Sequence, residues 1–441
     1  MRNVVIVSPY FPPSTLAGVH RARHLAKHLP RAGWNPTVLC VDEACHEQPL
    51  DFGLARLVPE TVEIVRASAL SARLTRPLGV GDIGLRAFFS LKAALCSLLQ
   101  ERPVDVVFIT GSPFYPMLLA PFIRRRFGVP VVLDFQDPWV SHWGASQPLT
   151  SKAGVSHRLA CVLEPRALAY ADFITSVSDV QNDQMAQRYP RLDPGRMAAI
   201  PIGCDRNDFA PDDDAALEVA RYLTPGEINL SFVGAIMPRS APLLRLVLTA
   251  FANARKTHPS AMARVRLNFI GTSNQPDERA ARLVRPLADE IGVGGQVTEI
   301  AQRIPYLQAL GVLARSDGLL LIGSDEPHYT ASKIYPALMS GTPYVSVFHG
   351  ASSAHDILVK AGGGASFKFD ALSDLATLLE PVTQALVDIA TAPESFATMN
   401  PAAVAPYEAD AIARKFADVF AMAASHALKA RGVREATAAV K

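Results

Sequence analysis

Cysteine is scarce in these 441 residues. The five present, Cys40, Cys45, Cys96, Cys161 and Cys204, are odd in number and never spaced as CxxC. That pattern excludes a disulfide framework and a cysteine-based structural zinc site, and it fits a reducing cytoplasm. An excess of charge of one sign is also lacking. A net charge of +2 with 19% charged residues provides no basic field of the kind nucleic acid selects, so no nucleic-acid partner is expected. No apolar run reaches the length needed to cross a bilayer. Met1-Arg2-Asn3 leads straight into Val4-Val5-Ile6-Val7, so no signal peptide is expected. The three-glycine dinucleotide fingerprint is missing as well: Gly18 and Gly234 each stand alone after an apolar run, which argues against a nicotinamide-dependent dehydrogenase.

What is present is a rhythm. Apolar residues make up 49% of the chain, enough for sizeable cores, and the length suits two or three domains. Short apolar runs alternate with loops rich in Gly, Pro or Ser and with longer segments of helical spacing, which predicts an α/β protein of parallel sheets and crossover helices. In the first half the strands fall at Val4–Val7, Thr37–Val41, Val104–Thr110, Val131–Asp134, Phe173–Val177 and Met197–Pro201. The pattern restarts at Ile228–Val233 and continues through Val265–Ile270, Gln296–Ile300, Gly318–Ile322 and Pro343–Val347. Between the halves, Pro201 to Asp214 lacks periodicity and reads as a connection. The expected division is therefore 1–207, 208–400, and a final helix within 401–441 packing back on the first domain, with a frayed tail.

In open α/β sheets ligands gather beyond the carboxyl ends of the strands, and four such loops carry chemistry. Ser8 to Gly18 leaves the first strand, and Gly18 at the helix entry lets backbone amides approach an anion; the plain alternative is an ordinary connecting loop. Leu133 to Trp139 holds Asp134 and Asp137, and carboxylates at a buried strand end need a hydrogen-bonding reason, whether a substrate or a helix cap. Phe232 to Ser240 offers Gly234 and Arg239, amides and a guanidinium fork suited to a diphosphate. Tyr329 to Pro343 is the most specific. There Ser332-Lys333 at a helix start puts a hydroxyl, free amides and an ammonium where a phosphate would bind; otherwise it is a capped helix with a solvated lysine.

These loops, in this order and in both halves, make residues 1–425 resemble a GT-B glycosyltransferase, nearest to the retaining family 4 group. The resemblance rests on the Phe-Pro-Pro loop ending at Gly18, Asp134 to Trp139, the restart at Gly234, the Ser332-Lys333 helix running to Gly341-Thr342-Pro343, and Ser176-Val177-Ser178 followed by Ile200-Pro201-Ile202-Gly203. It implies two Rossmann-like, doubly wound domains facing across a cleft, the first for the acceptor and the second for the nucleotide-sugar. Gly18 would then lie against the donor, with Arg239 and Lys333 neutralising its diphosphate and Ser332 adding a hydrogen bond. Asp137, and after it Asp134, would contact acceptor or sugar.

The implied reaction moves a sugar from a nucleotide-sugar to a glycan or lipid-linked acceptor in surface polysaccharide or glycolipid assembly. It proceeds with retention and with neither metal nor further cofactor. The run Asp212-Asp213-Asp214 reads as a solvated acidic patch instead of a metal site. One departure stands out: where relatives carry Lys-x-x-Glu, this chain has Pro336, with His328 near the place of a first glutamate and Asp325 and Glu326 nearby. That keeps two other readings open, a nucleotide-sugar epimerase and a non-catalytic nucleotide- or glycan-binding subunit. Leu85 to Leu99 and Arg124-Arg125-Arg126 read either as a core helix with a solvated end or as a peripheral membrane face on a cytoplasmic enzyme.

Overall fold

The structure is a computed structural model that describes residues 1–209, 218–273, 280–327 and 332–439, with side chains to 426. Asp212 to Asp214 and His328 to Ala331 lie outside the described residues. The chain divides into two units, Met1–Ile202 with Ala409–Lys441, and Gly203–Glu408.

Seven parallel strands form the first unit's sheet: β1 (Arg2–Val7), β2 (Trp34–Val41), β3 (Glu63–Ala67), β4 (Val106–Gly111), β5 (Val131–Phe135), β6 (Phe173–Ser176) and β7 (Met197–Ala199), in the order β3-β2-β1-β4-β5-β6-β7. The central strands are covered on both faces and therefore read as unbroken apolar runs. Along them run α1 (Val19–His28), α2 (Phe88–Glu101), the short α3 (His142–Ala145), α4 (Lys152–Leu168) and α5 (Asp179–Arg188). One core layer sets Ile6 and Phe108 against Leu25 of α1, and the opposite layer sets Val7 and Ile109 against Leu91 and Leu95 of α2.

The second unit has six parallel strands: β8 (Ile228–Val233), β9 (Val265–Ile270), β10 (Val297–Ile300), β11 (Gly318–Ile322), β12 (Tyr344–His349) and β13 (Gly364–Phe369), in the order β10-β9-β8-β11-β12-β13. Its helices include α6 (Ala241–Thr257), α7 (Ile334–Ser340) and α8 (Leu375–Thr391). Phe232, Phe251 and Leu386 share one core layer, while Leu321, Leu338 and Tyr344 share the other. In each sheet the strand order reverses beside the first strand, between β1 and β4 and between β8 and β11. Such switch points open a crevice at the carboxyl ends.

The last helix, α9 (Ala409–Ala439), belongs to the first unit. Phe416 lies edge-on to Phe108 at 5.3 Å, and Phe420 edge-on to Trp34 at 5.4 Å. These aromatic pairs add to the area that the helix buries. Among the described residues no helix is long and apolar enough to cross a membrane.

Two strands, β3 and β13, went unanticipated, and both are edge strands. Of the two readings of Leu85 to Leu99 and Arg124 to Arg126, a core helix or a membrane face, the structure shows a helix that packs its leucines into the core. Leu91, Leu95 and Leu98 of α2 are buried, Arg124 pairs with Asp172 at 3.1 Å, and the Arg125 guanidinium lies 4.8 Å over the Tyr170 ring.

Candidate functional site

In the second unit, the turn after β8 and the start of α7 come together. Gly234 has φ of 127°, a conformation that a residue with a Cβ adopts only under strain. A Cβ there would lie 3.5 Å from Lys333 Cδ, so the lysine stem runs along this turn. Lys333 Nζ donates to the Ala235 carbonyl at 3.3 Å and stands 4.0 Å over the Phe232 ring. Desolvation in this pocket pushes its pKa down from 10.5 to about 7. The lysine thus sits half charged near neutrality, and an arriving anion would restore its proton. Ser332, just before it, is exposed.

Arg239 follows the same turn. Its guanidinium is exposed, with Nε 2.5 Å from Asp325 and Nη1 3.9 Å from Glu326, both beyond the end of β11. The Arg239 carbonyl also accepts the Asp325 N–H at 3.2 Å, so the two loops are tied twice. Asp325 and Glu326 therefore orient the arginine. Pro336 is the third residue of α7, where its missing N–H would have had no partner within the helix. The helix start is intact, but no carboxylate stands at that position.

The first unit has its own cluster at the ends of β1, β4 and β5. Asp134 is wholly buried, and each oxygen is occupied: Arg21 Nε at 3.1 Å and Thr110 Oγ1 at 2.7 Å reach Oδ2, and Thr175 Oγ1 at 2.8 Å reaches Oδ1. Arg21 in turn donates to the Ile200 and Pro201 carbonyls at 2.6 and 2.7 Å and lies 4.8 Å over the Phe416 ring. This satisfied ion pair fastens α1, β4, β5, β6, the chain after β7 and α9 to one another. Asp134 therefore holds the sheet together and presents no free oxygen to a substrate.

Asp137 differs. It is exposed, no hydrogen bond or ion pair engages it among the described residues, and desolvation by the surrounding wall raises its pKa. Gly18 caps α1 at φ −60°, an ordinary backbone shape; its carbonyl accepts Gln136 Nε2 at 3.2 Å, and Gln136 also donates to Thr110 Oγ1 at 2.7 Å. A Cβ at Gly18 would make only an ordinary van der Waals contact, 3.5 Å from the Ser112 carbonyl, so neither the dihedral nor the packing demands glycine there. Arg21, Thr110, Thr175 and Gln136 escaped sequence reasoning. A buried Asp at a strand end, read together with an arginine at the third position of the preceding helix, was the available signal.

The model of the glycosyl transferase 4-like domain matches residues 17–203, the segment that carries Gly18, Arg21, Asp134 and Asp137. That segment of the first unit is thus similar to a glycosyl transferase 4-like domain. A D-inositol 3-phosphate glycosyltransferase of Actinosynnema mirum is 26% identical over 264 residues, covering 57% of this chain and 60% of that protein. The chain thus spans about three fifths of the length of this curated relative. Among solved structures, Anabaena Alr3699/HepE in complex with UDP-glucose superposes with a TM-score of 0.58 at 14% identity, covering 96% of this chain and all (100%) of that one. WaaG, a glycosyltransferase involved in lipopolysaccharide biosynthesis, gives 0.54 at 14% identity, covering 96% and 98%. At such identity the likeness is one of fold, and the fold is GT-B. Met1–Ile202 with Ala409–Lys441 supplies one Rossmann-like unit of that fold, and Gly203–Glu408 the other.

Proposed function

We propose that this chain is a glycosyltransferase that moves a sugar from a nucleotide-sugar to a glycan or lipid-linked acceptor, with retention, at the cytoplasmic side of surface polysaccharide or glycolipid assembly. The observation that carries this reading is Lys333, an ammonium stripped of water and aimed along the Gly234 turn. In the transfer, the bond from the sugar's anomeric carbon to the diphosphate breaks, and its electron pair leaves with the diphosphate. The acceptor hydroxyl oxygen bonds to the same face of that carbon, and its proton passes to the departing diphosphate. Charge grows on the leaving group as this happens, so a positive group already in position stabilises the transition state more than the ground state.

Lys333 and Arg239 bring the positive charge, so we assign the reaction no metal and no further cofactor. Ser332 adds a hydrogen-bond donor to the diphosphate. Asp137, exposed and unengaged, is our candidate for the acceptor or sugar contact, with Gly18 letting the donor approach the α1 terminus. A neighbour solved in complex with UDP-glucose and a relative named D-inositol 3-phosphate glycosyltransferase are in keeping with a nucleotide-sugar donor. Incubating the protein with candidate donors and acceptors and reading the anomeric configuration of the product by NMR tests it. An α-linked product from an α-donor is expected; inversion, or an epimerised donor formed without acceptor, would overturn it.

Pro336 favours a second reading, a subunit that binds nucleotide-sugar without transferring it. Loss of a carboxylate acceptor for the ribose would weaken the donor grip. Turnover with any acceptor excludes that reading.

A further inference from the structure

The helix that follows the Asp137 loop shows an apolar stripe to solvent. Val155, Leu159 and Val162 of α4 are 49%, 42% and 49% exposed, at spacings of four and three that place them on one side. Trp143 on α3 at 64% and Leu149 at 67% exposure extend the patch. A globular surface rarely gathers large apolar side chains in this way without a partner.

The patch is rigid. A Cβ at Gly154 would fall 2.2 Å from the Pro148 carbonyl oxygen, and one at Gly144 would fall 2.7 Å from His157 Nδ1, so the lead-in turn and α3 press directly on α4. Ser151 Oγ accepts the Gly154 N–H at 3.0 Å and donates to the Pro148 carbonyl at 2.7 Å. Arg158 donates to the Leu149 carbonyl at 2.8 Å. Trp143 and Leu149 are thus fixed beside the stripe.

Charge identifies the occupant. Lys152, Arg158 and Arg166 are exposed around the stripe. Between residues 141 and 169 the sole carboxylate is Glu164, which is wholly buried, accepting from Tyr189 at 2.7 Å and from Arg188 at 3.4 Å. An apolar helix face with an interfacial Trp, whose own exposed charges between residues 141 and 169 are all basic, matches an anionic bilayer surface, where headgroups attract the cations and acyl chains take the apolar side chains. We propose that α3 and α4 form a docking surface for an anionic lipid membrane.

This surface adjoins the candidate acceptor wall. The Tyr115–Leu119 turn packs against α4, and the Tyr115 ring meets Trp139 edge-on at 6.1 Å, two residues past Asp137. Docking would hold that loop at headgroup level. The membrane contact stands on its own geometry; only the step to a lipid-linked acceptor rests on the proposed transfer.

Flotation of the full chain with vesicles of phosphatidylcholine plus phosphatidylglycerol, against phosphatidylcholine alone, tests it. The wild type is expected to float with the anionic vesicles and to be released by salt. The exposed triple variant Val155→Ser/Leu159→Ser/Val162→Ser should lose about tenfold or more in partitioning, and Lys152→Gln/Arg166→Gln about fivefold per charge, both with unaltered thermal unfolding. A wild type that stays at the bottom, or a triple variant that floats equally well, would overturn the proposal. So would a triple variant that turns a dimer into a monomer on gel filtration without any vesicle binding. Vesicle docking that persists in a protein without transferase activity would leave this inference intact and sink only the functional one.

Discussion

Lys333 is the residue whose chemistry depends most on its surroundings. With its pKa near 7 in the folded protein, it is mostly protonated at pH 6 and mostly neutral at pH 8. A bound diphosphate raises that pKa, so binding above pH 7 takes up a proton. Donor affinity is expected to be flat below pH 7 and to fall by up to about tenfold per pH unit above it, as read by calorimetric titration across pH. Stability runs the other way. The folded pKa lies below the unfolded one, so the unfolded state binds more protons between pH 7 and 10.5, and this lysine's contribution improves as pH rises through that window.

The two aspartates also separate at this scale. Asp134→Ala leaves Arg21 buried and unpaired and is expected to cost about 3–5 kcal/mol in denaturant unfolding. Asp137→Asn is expected to leave unfolding unchanged within about 0.5 kcal/mol, while lowering transfer and sparing donor affinity. Sequence alone could not divide them. Asp134's partners come from positions 21, 110 and 175, which only the folded sheet brings together.

At the scale of elements, the central strands were legible because burial on both faces writes them as continuous apolar runs, as in Val4–Val7 and Leu319–Ile322. The edge strands were not. β3 reads Glu-Ile-Val-Arg-Ala with two polar side chains, and β13 begins with Gly364 and carries Lys368, because a strand covered less completely can spend positions on polar residues. The apolar stripe of α4 was invisible for a related reason: Val155, Leu159 and Val162 look like a core stripe in sequence, and only the fold shows that they face water. The final helix was legible from its Ile412, Phe416 and Phe420 spacing. Its aromatic side chains fill the layer beneath Trp34 and Phe108, so Phe416→Ala is expected to destabilise by about 3–5 kcal/mol, measured by denaturant unfolding.

For the whole molecule, both units repeat one plan, a parallel sheet whose strand order reverses beside its first strand, with the candidate chemistry at the carboxyl ends. The fold class was legible from the repeated strand and loop rhythm. The candidate site was legible only in part: Gly234 and Lys333 meet as their positions suggested, whereas Arg239 is held by Asp325 and Glu326, an arrangement that spacing does not reveal. The central claim is that the Gly234 and Lys333 turn receives the diphosphate of a nucleotide-sugar. Calorimetric titration of UDP-, GDP- and ADP-sugars into the wild type and into Lys333→Met tests it most directly. One donor should bind the wild type saturably and the variant about ten- to a hundredfold more weakly, the loss of a charge-assisted hydrogen bond, with no fall in thermal stability at pH 7 because a desolvated ammonium is gone. Equal affinity in the two proteins, or no binding of any donor to the wild type, would contradict the account.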